Sequence, residues 1–582
     1  MALALGLSLA AIPFLLLWIT QLGGALCAAT ARALFGGFGV IAIAVVGGRL
    51  WRRRVSWLGR DITSAVLMTF VLGIGLMARL LAVRDLVLPA WVDSVHHTLL
   101  AHIIAESGRI PASYKPYIAV HNATYHYGFH ASVALFSWLS DKPLPQTMLF
   151  VGQLFNLSAA LQVYLLARWL TRRRRAAFFA MLIAALLSTM PAYYVSWGRY
   201  TQLTGLLILP VASILSIEAA RQQDRRAAAL AVLALAGLLL THYRVFAFYI
   251  CFVAAWWLIE LAQRPHAWRA RLGDLGWYLS LGLLASVLLM PWLLNVATEL
   301  WWPALVYWDN QPSGANWDFS WRYVSRGFDC YILMAGLMGT IVGLLQRQRF
   351  AGVLLLWVGS MFLITNPSLL GLSGEGLINN VAMFATWFAP LAICSGFLGD
   401  EVLRIGFARL KGLWYVLCCL LMVAGLVALS VVGTRRQITV VNPDCVLAIQ
   451  ADLDAVDWIE HHTALRSRFL INAQPWQSSI YAGTDGGYWM TALTQRSTTT
   501  PPALYALGTS DDVLRVKDFN RRVEALSTDA AGLWMLLREI GVDYVYVGAL
   551  GGPLDPDTLC VDPGFQPFYT GTRVHVFQVV AR

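Results

Sequence analysis

The sequence predicts a polytopic α-helical membrane protein that carries a C-terminal extracytoplasmic α/β domain. Three observations carry that reading. Hydrophobic residues make up 58% of the 582 and charged residues only 13%, about half the charged share of an average soluble domain. Thirteen apolar segments lie near the roughly 20-residue length that a bilayer-crossing helix needs. The charge is also divided along the chain: residues 1–433 hold 31 Lys+Arg against 16 Asp+Glu, and residues 434–582 hold 12 against 16. The composition, with a mean hydropathy of +0.61, excludes a soluble globular enzyme, a disordered chain and a nucleic-acid-binding domain. The pI near 9.3 belongs to the membrane part, where basic residues set topology, and argues for no nucleic-acid partner.

The apolar segments run over 3–22, 31–49, 62–82, 147–167, 176–194, 203–220, 227–241, 245–263, 275–295, 329–346, 351–365, 380–399 and 412–433. With the N-terminus in the cytoplasm, 21 Lys+Arg before residue 434 fall in cytoplasmic loops and 10 fall outside, as the positive-inside rule expects. That orientation puts a large first loop (83–146) and the whole of 434–582 outside. Shorter loops around 195–202, 242–244, 296–328 and 366–379 join them. Everything polar and sizeable therefore faces one compartment.

In the tail, 452–463 and 528–541 have helical apolar spacing. Residues 469–473, 543–548 and 574–580 read as strands, rich in β-branched and aromatic residues. Between them lies a Gly-, Thr- and Pro-rich loop, 483–502. Cys445 and Cys560, one near each end of the tail, either pair in an oxidising compartment or stay apart.

Candidate chemistry concentrates in the outer loops. A helix is expected to begin after Asp93, with apolar Val95, Leu99, Leu100, Ile103 and Ile104 suited to the membrane interface. Asp93 fits two roles, an N-cap that accepts backbone N–H bonds or a catalytic carboxylate. His97, four residues on, would share its face. Six of the eleven histidines fall between 96 and 130, His126 among them. Clustered imidazoles can hold a divalent metal ion, although hydrogen-bonding and interfacial roles fit them equally. Arg199, flanked by Trp197 and Tyr200, and the run His242–Tyr243–Arg244 emerge on the outer side, where guanidinium groups match phosphate. Trp, Tyr and Arg are also the usual interfacial anchors. Glu375 sits in a Gly-rich outer turn. The spans hold almost no mid-depth acids, which counts against an ion-coupled transporter.

Together these pieces resemble the GT-C glycosyltransferase superfamily, polytopic enzymes that use polyprenyl-phosphate-linked sugars on the outer membrane face. The shared architecture is a large first outer loop with an acid at its start, juxtamembrane helices, about thirteen spans and an outer C-terminal domain. WVDSVHH looks like the acid-then-helix entry of that loop, and the resemblance gives Asp93 the place of the catalytic carboxylate. The stretch 484–499, TDGGYWMTALTQRSTT, is similar to the Trp-Trp-Asp-Tyr-Gly block of oligosaccharyltransferase catalytic subunits, through Asp485, Gly487, Tyr488, Trp489 and Arg496. Gly483 and Thr484 stand where that block has its Trp pair, and Gly486 where it has Tyr. The loop around Arg199 lacks the acid of the family's second metal motif. Peptide N-glycosylation and a two-motif metal site are therefore not implied.

What the resemblance implies is an inverting transferase of the plasma (inner) membrane. It divides the chain into a membrane domain (1–433) and an extracytoplasmic α/β domain (434–582). Asp93 would be the base, and Arg199, Arg244 and His242 would hold the donor phosphate. His97, His126, Tyr200, Glu375, Asp485, Tyr488 and Trp489 would serve the sugar or the acceptor, which would be a glycan, a lipid or a protein. A non-catalytic transporter or lipid- or glycan-binding protein of the same fold, and an inactive relative, are the alternatives.

Overall fold

A computed structural model describes residues 1–52, 61–301, 321–372, 378–408, 410–476 and 480–581. Glu375 lies outside the described residues. The apolar segments fall on helices, except that 176–194 is helical only to Leu187 before the short helix Tyr194–Trp197, and 275–295 is broken between Leu288 and Met290. Among the described residues eight helices are long and apolar enough to cross a membrane, or nine if the bent pair Pro265–Leu288 and Met290–Glu299 is one span. Asp329–Leu345 and Arg349–Thr365 are shorter apolar helices.

The helices differ in what they face. Tyr200–Gln222 has 94% of its apolar window buried, whereas Ala28–Val45 and Gly412–Cys445 have 6% each. The first is the centre of the bundle. The other two present their apolar side chains outward, as helices in hydrocarbon do. Small residues let the spans approach closely: a Cβ on Gly237 would lie 2.3 Å from the Ala10 Cα, and one on Gly339 would lie 2.1 Å from the Cys394 carbonyl oxygen.

Charges inside or beside the bundle are tied. At the basic loops, Arg173 bonds Asp400 and Glu401, and Glu260 bonds Arg271 and Arg349. At the other end Arg79, buried near the end of Asp61–Ala82, bonds Asn156, Gln437 and the Ala185 carbonyl. A buried guanidinium must be met by hydrogen-bond acceptors, and here it joins three separate chain segments.

After the last span the chain builds a five-stranded sheet in the order β4-β1-β5-β7-β6, with β1 Arg468–Ile471, β4 Ser497–Thr498, β5 Tyr544–Val547, β6 Phe565–Thr570 and β7 His575–Val579. β4, β1 and β5 are parallel, while β7 and β6 run antiparallel. β2 Ala473–Trp476 and β3 Ile480–Gly483 form a separate antiparallel hairpin. The three strands expected from the sequence are the adjacent central ones, β1, β5 and β7. Cys445 is buried and Cys560 exposed, and both are free thiols.

The first outer loop packs against this sheet layer. One apolar core joins Val95, Leu99, Tyr114 and Val120 to Phe469, Trp489, Tyr505 and Tyr546. The helix Val92–Ser107 is thus clamped between the bundle and the tail, and its first turn is held in a fixed place.

Candidate active site

The site is built from the entry to that helix. Val92–Ser107 begins with Trp91 as its N-cap residue, and no side chain caps it. Asp93 is the second residue of the helix and makes no capping bond, so the N-cap role is not the one it plays. Trp91 has a φ of 72°, a left-handed conformation that a bulky residue adopts only at a cost of about 1–3 kcal/mol. The turn is pinned by the Trp91 N–H donating to the Cys445 carbonyl (2.7 Å) and by the Ser94 hydroxyl donating to the Ala90 carbonyl (2.5 Å). Gly198 packs directly on it: a Cβ there would sit 2.3 Å from the Ser94 Oγ, and its φ is +63°. A side chain at 198 would push the next residue, Arg199, away from Asp93.

Asp93 faces two cavities. The smaller, about 310 Å³, is walled by Asp93, His96, Arg199, His242 and Arg244, and roofed by Trp476 and Leu504 from the tail. The larger, about 920 Å³, also takes in Asp93, Arg199 and Trp476, and extends along Trp197, Arg326 and Arg436. Asp93, Arg199 and Trp476 are the residues common to both.

The electrostatics suit an anion. Arg199 lies over the Trp197 ring at 5.3 Å, and its Nη1 is buried with no hydrogen-bond partner among the described residues. Burial lowers its pKa, Asp93 pulls it back up, and Arg244 lowers it again. Arg244 donates from Nε to the Tyr243 hydroxyl at 2.9 Å and stacks on that ring. His242 caps the next helix, its Nδ1 accepting the Val245 N–H at 3.4 Å. Burial, Arg244 and Arg199 hold its pKa well below the usual histidine value. It is therefore a neutral imidazole whose proton, with Nδ1 accepting, sits on Nε2, and it offers a ligand an N–H rather than a charge.

His96 is the residue that sequence reasoning did not single out. It follows Asp93 by three residues, is 5% exposed, and neither ring nitrogen has a partner. Burial lowers its pKa and Asp93 opposes that. On this helix the cavity is lined by the i, i+3 pair Asp93–His96, while His97 at i+4 meets His130.

Other predicted residues lie elsewhere. His97 is buried, its Nδ1 2.9 Å from the His130 Nε2. His126 is stacked on Tyr125, ring centroids 4.1 Å apart. Burial holds both imidazoles well below the usual range and takes His130 down to about 3. Among the described residues no three His, Cys, Asp or Glu side chains group to hold a metal ion. Tyr200 is buried, stacked on Phe129 with centroids 5.4 Å apart.

The block 484–499 is tied into the fold of the tail. Asp485 is fully buried and accepts from Gly487 N–H (2.9 Å), Gly548 N–H (2.7 Å) and Asn472 Nδ2 (2.8 Å). Tyr488 and Trp489 are buried in the core that joins tail and first loop. Arg496 is spent on the carbonyls of Glu460, Thr463 and Thr494. The roof of the small cavity comes instead from Trp476 and residues 503–507. It is fixed by Tyr505, whose hydroxyl accepts the Tyr481 N–H at 2.8 Å.

The fold is that of the GT-C glycosyltransferases. The chain is similar to the oligosaccharyltransferase of Archaeoglobus fulgidus (14% identity, 82% of this chain and 69% of that one, TM-score 0.52). It is similar to ArnT from Cupriavidus metallidurans (13%, 90% and 99%, TM-score 0.54) and to the arabinofuranosyltransferase AftD from Mycobacteria (15%, 88% and 40%, TM-score 0.52). No curated protein matches the sequence. The chain belongs to the family described as "Family of unknown function (DUF6541)", whose model matches residues 1–371.

Proposed function

We propose that this protein is an inverting glycosyltransferase that moves a sugar from a polyprenyl-phosphate-linked donor to an acceptor on the outer face of the plasma (inner) membrane. In this reading all thirteen apolar helices cross the bilayer and residues 434–582 form the extracytoplasmic domain. The observation that carries it is the position of Asp93 and Arg199 on the wall shared by two cavities. A base that must touch an acceptor and a cation that must touch a leaving phosphate need that junction. ArnT has been solved bound to undecaprenyl phosphate and the archaeal oligosaccharyltransferase with dolichol-phosphate, which supports a donor of this kind.

The donor phosphate lies in the small cavity, against Arg199, Arg244 and the neutral N–H of His242. The Asp93 carboxylate takes the proton of an acceptor hydroxyl. The freed oxygen attacks the anomeric carbon from the face opposite the phosphate. The C–O bond to phosphate breaks, and its electron pair leaves with the phosphate. The products are a glycoside of inverted configuration, polyprenyl phosphate and a proton on Asp93. The guanidinium groups stabilise the charge that grows on the departing phosphate, a term usually among the largest in catalysis. General-base help adds about 10²–10⁴-fold.

The test is turnover. The protein, reconstituted in nanodiscs with undecaprenyl-phosphate-linked sugars and an envelope extract, should release undecaprenyl phosphate and pass the sugar to acceptor material. Asp93→Asn should do neither. No release by the wild type from donors it demonstrably binds, or equal release by both, overturns the reading.

A further inference from the structure

The two cavities that meet at Asp93 differ in chemistry. The smaller holds histidines and two arginines around a compact space. The larger is three times its volume and has an aromatic wall: Tyr193, Trp197 and Tyr323 pack edge to face, with centroids 4.9 Å and 4.7 Å apart. Trp91 and Trp476 also face it. Such rings present apolar faces on which a saccharide can stack.

The larger cavity also carries cations that the donor phosphate does not use. Arg436 is engaged, bonding Asp329 at 3.1 Å and Thr189 at 3.0 Å. Arg322 lies over the Tyr323 ring at 5.1 Å and donates to its hydroxyl, with no acidic partner among the described residues. Arg326 is exposed to the same space and has no ion pair among the described residues. Against these two stands one further acid on the wall, the exposed Asp444. With Asp93 set against Arg199 and Asp329 against Arg436, the wall keeps one positive charge in excess.

We propose that the larger cavity is a second anion site, separate from the donor's, built for a saccharide that bears a phosphate or carboxylate, and that this anionic saccharide is the acceptor. Its role as acceptor rests on the transferase reading above; the site itself does not. The aromatic wall holds the sugar rings, Arg322 and Arg326 hold the acid group, and the hydroxyl to be glycosylated reaches Asp93 at the junction.

The probes are glucose 6-phosphate, glucose and inorganic phosphate, read by saturation-transfer NMR on protein in neutral phosphatidylcholine nanodiscs. Retained undecaprenyl phosphate is followed in parallel by native mass spectrometry. Glucose 6-phosphate should bind about tenfold or more tightly than glucose, about 1.4 kcal/mol, because its phosphate takes charge-assisted hydrogen bonds. It should bind while undecaprenyl phosphate is present. The double variant Arg322→Ala/Arg326→Ala should remove that advantage and leave undecaprenyl phosphate in place; Arg244→Ala should do the reverse. Equal binding of glucose and glucose 6-phosphate overturns the anion site. Displacement by inorganic phosphate with no saturation of ring protons overturns the saccharide. Competition between glucose 6-phosphate and undecaprenyl phosphate overturns the separation of the two sites. Glucose 6-phosphate bound by a protein that retains no undecaprenyl phosphate leaves the site standing and overturns the transferase reading instead.

Discussion

Asp93 and Asp485 occupy similar sequence settings and opposite physical ones. Each stands at the start of a helical turn outside the apolar spans, and each sits in a motif resembling a glycosyltransferase block. Asp485 is saturated by three donors and shut away from solvent. Asp93 is half-buried, caps nothing and looks into two cavities. The difference teaches that a carboxylate is available for chemistry only where the backbone has left its oxygens untied. A motif resemblance reports residue types, and the ties around them decide use.

The sharpest way to break the comparison is to neutralise each acid. Asp93→Asn should lower transfer by about 10²–10⁴-fold, the usual size of general-base help, with Tm unchanged, because no structural bond is lost. Retained transfer, or a large fall in Tm, would place Asp93 with Asp485. The effect of Asp485→Asn should be in stability. Burial pushes the Asp485 carboxyl up to about 7, against the pull of its three donors and with Asp452 adding to the rise. The folded state thus keeps a proton that the unfolded chain releases near its ordinary value. This stabilises the fold at low pH and is lost as pH rises from about 4 to about 7, on the order of 4 kcal/mol in full. The variant has no such group, and its amide also faces N–H donors. Its Tm should lie below the wild type's, by a gap that narrows as pH rises through that window. A gap that widens with pH would reverse the assignment.

Arg199 tests the same contrast from the cationic side. Its Nη1 is buried without a partner, unlike the fully engaged Arg496. Arg199→Ala should cost about 1.5–3 kcal/mol of donor interaction, the range for a charged hydrogen bond, or roughly 10–100-fold in kcat/KM for the donor. Arg496→Ala should instead lower Tm and leave donor kinetics alone among molecules that fold. Unchanged donor kinetics in Arg199→Ala would remove it from phosphate binding.

The bundle was legible in the sequence because a helix in hydrocarbon must be apolar for about 20 residues, and among the described residues eight or nine helices meet that length and composition. The central strands β1, β5 and β7 were legible for a related reason: strands flanked on both sides are rich in β-branched and aromatic residues. β4 is two residues long, β6 is interrupted by Pro567 and the helix Ser510–Ala525 is polar, and none of them was found. In the site, Asp93, Arg199, His242 and Arg244 could be grouped because topology places their loops on one side. His96 could have been found by weighing i+3 beside i+4, since both positions neighbour Asp93 on a helix. Trp476, Leu504, Arg322 and Arg326 were beyond reach. Trp476 and Leu504 arrive through the packing of tail on first loop and the two arginines through the packing of Tyr323 on Trp197, and no local spacing records that.

The smallest expected effect separates a residue near the site from one in it. Tyr200 follows Arg199 directly, yet its ring stacks on Phe129 and presses on Gly152, where a Cβ would lie 2.4 Å from the Tyr200 Cε1. Its hydroxyl is buried with no hydrogen-bond partner. A buried hydroxyl left unsatisfied carries a desolvation cost, so removing it is neutral or stabilising, by up to about 1 kcal/mol. Tyr200→Phe keeps the ring and the stack, and should leave kcat and both KM values within about twofold while Tm stays level or rises slightly. A hydroxyl that touched sugar or acceptor would instead raise a KM on removal, by about fivefold or more for one lost hydrogen bond. Measuring donor and acceptor KM for that single variant therefore decides whether Tyr200 belongs to the site wall.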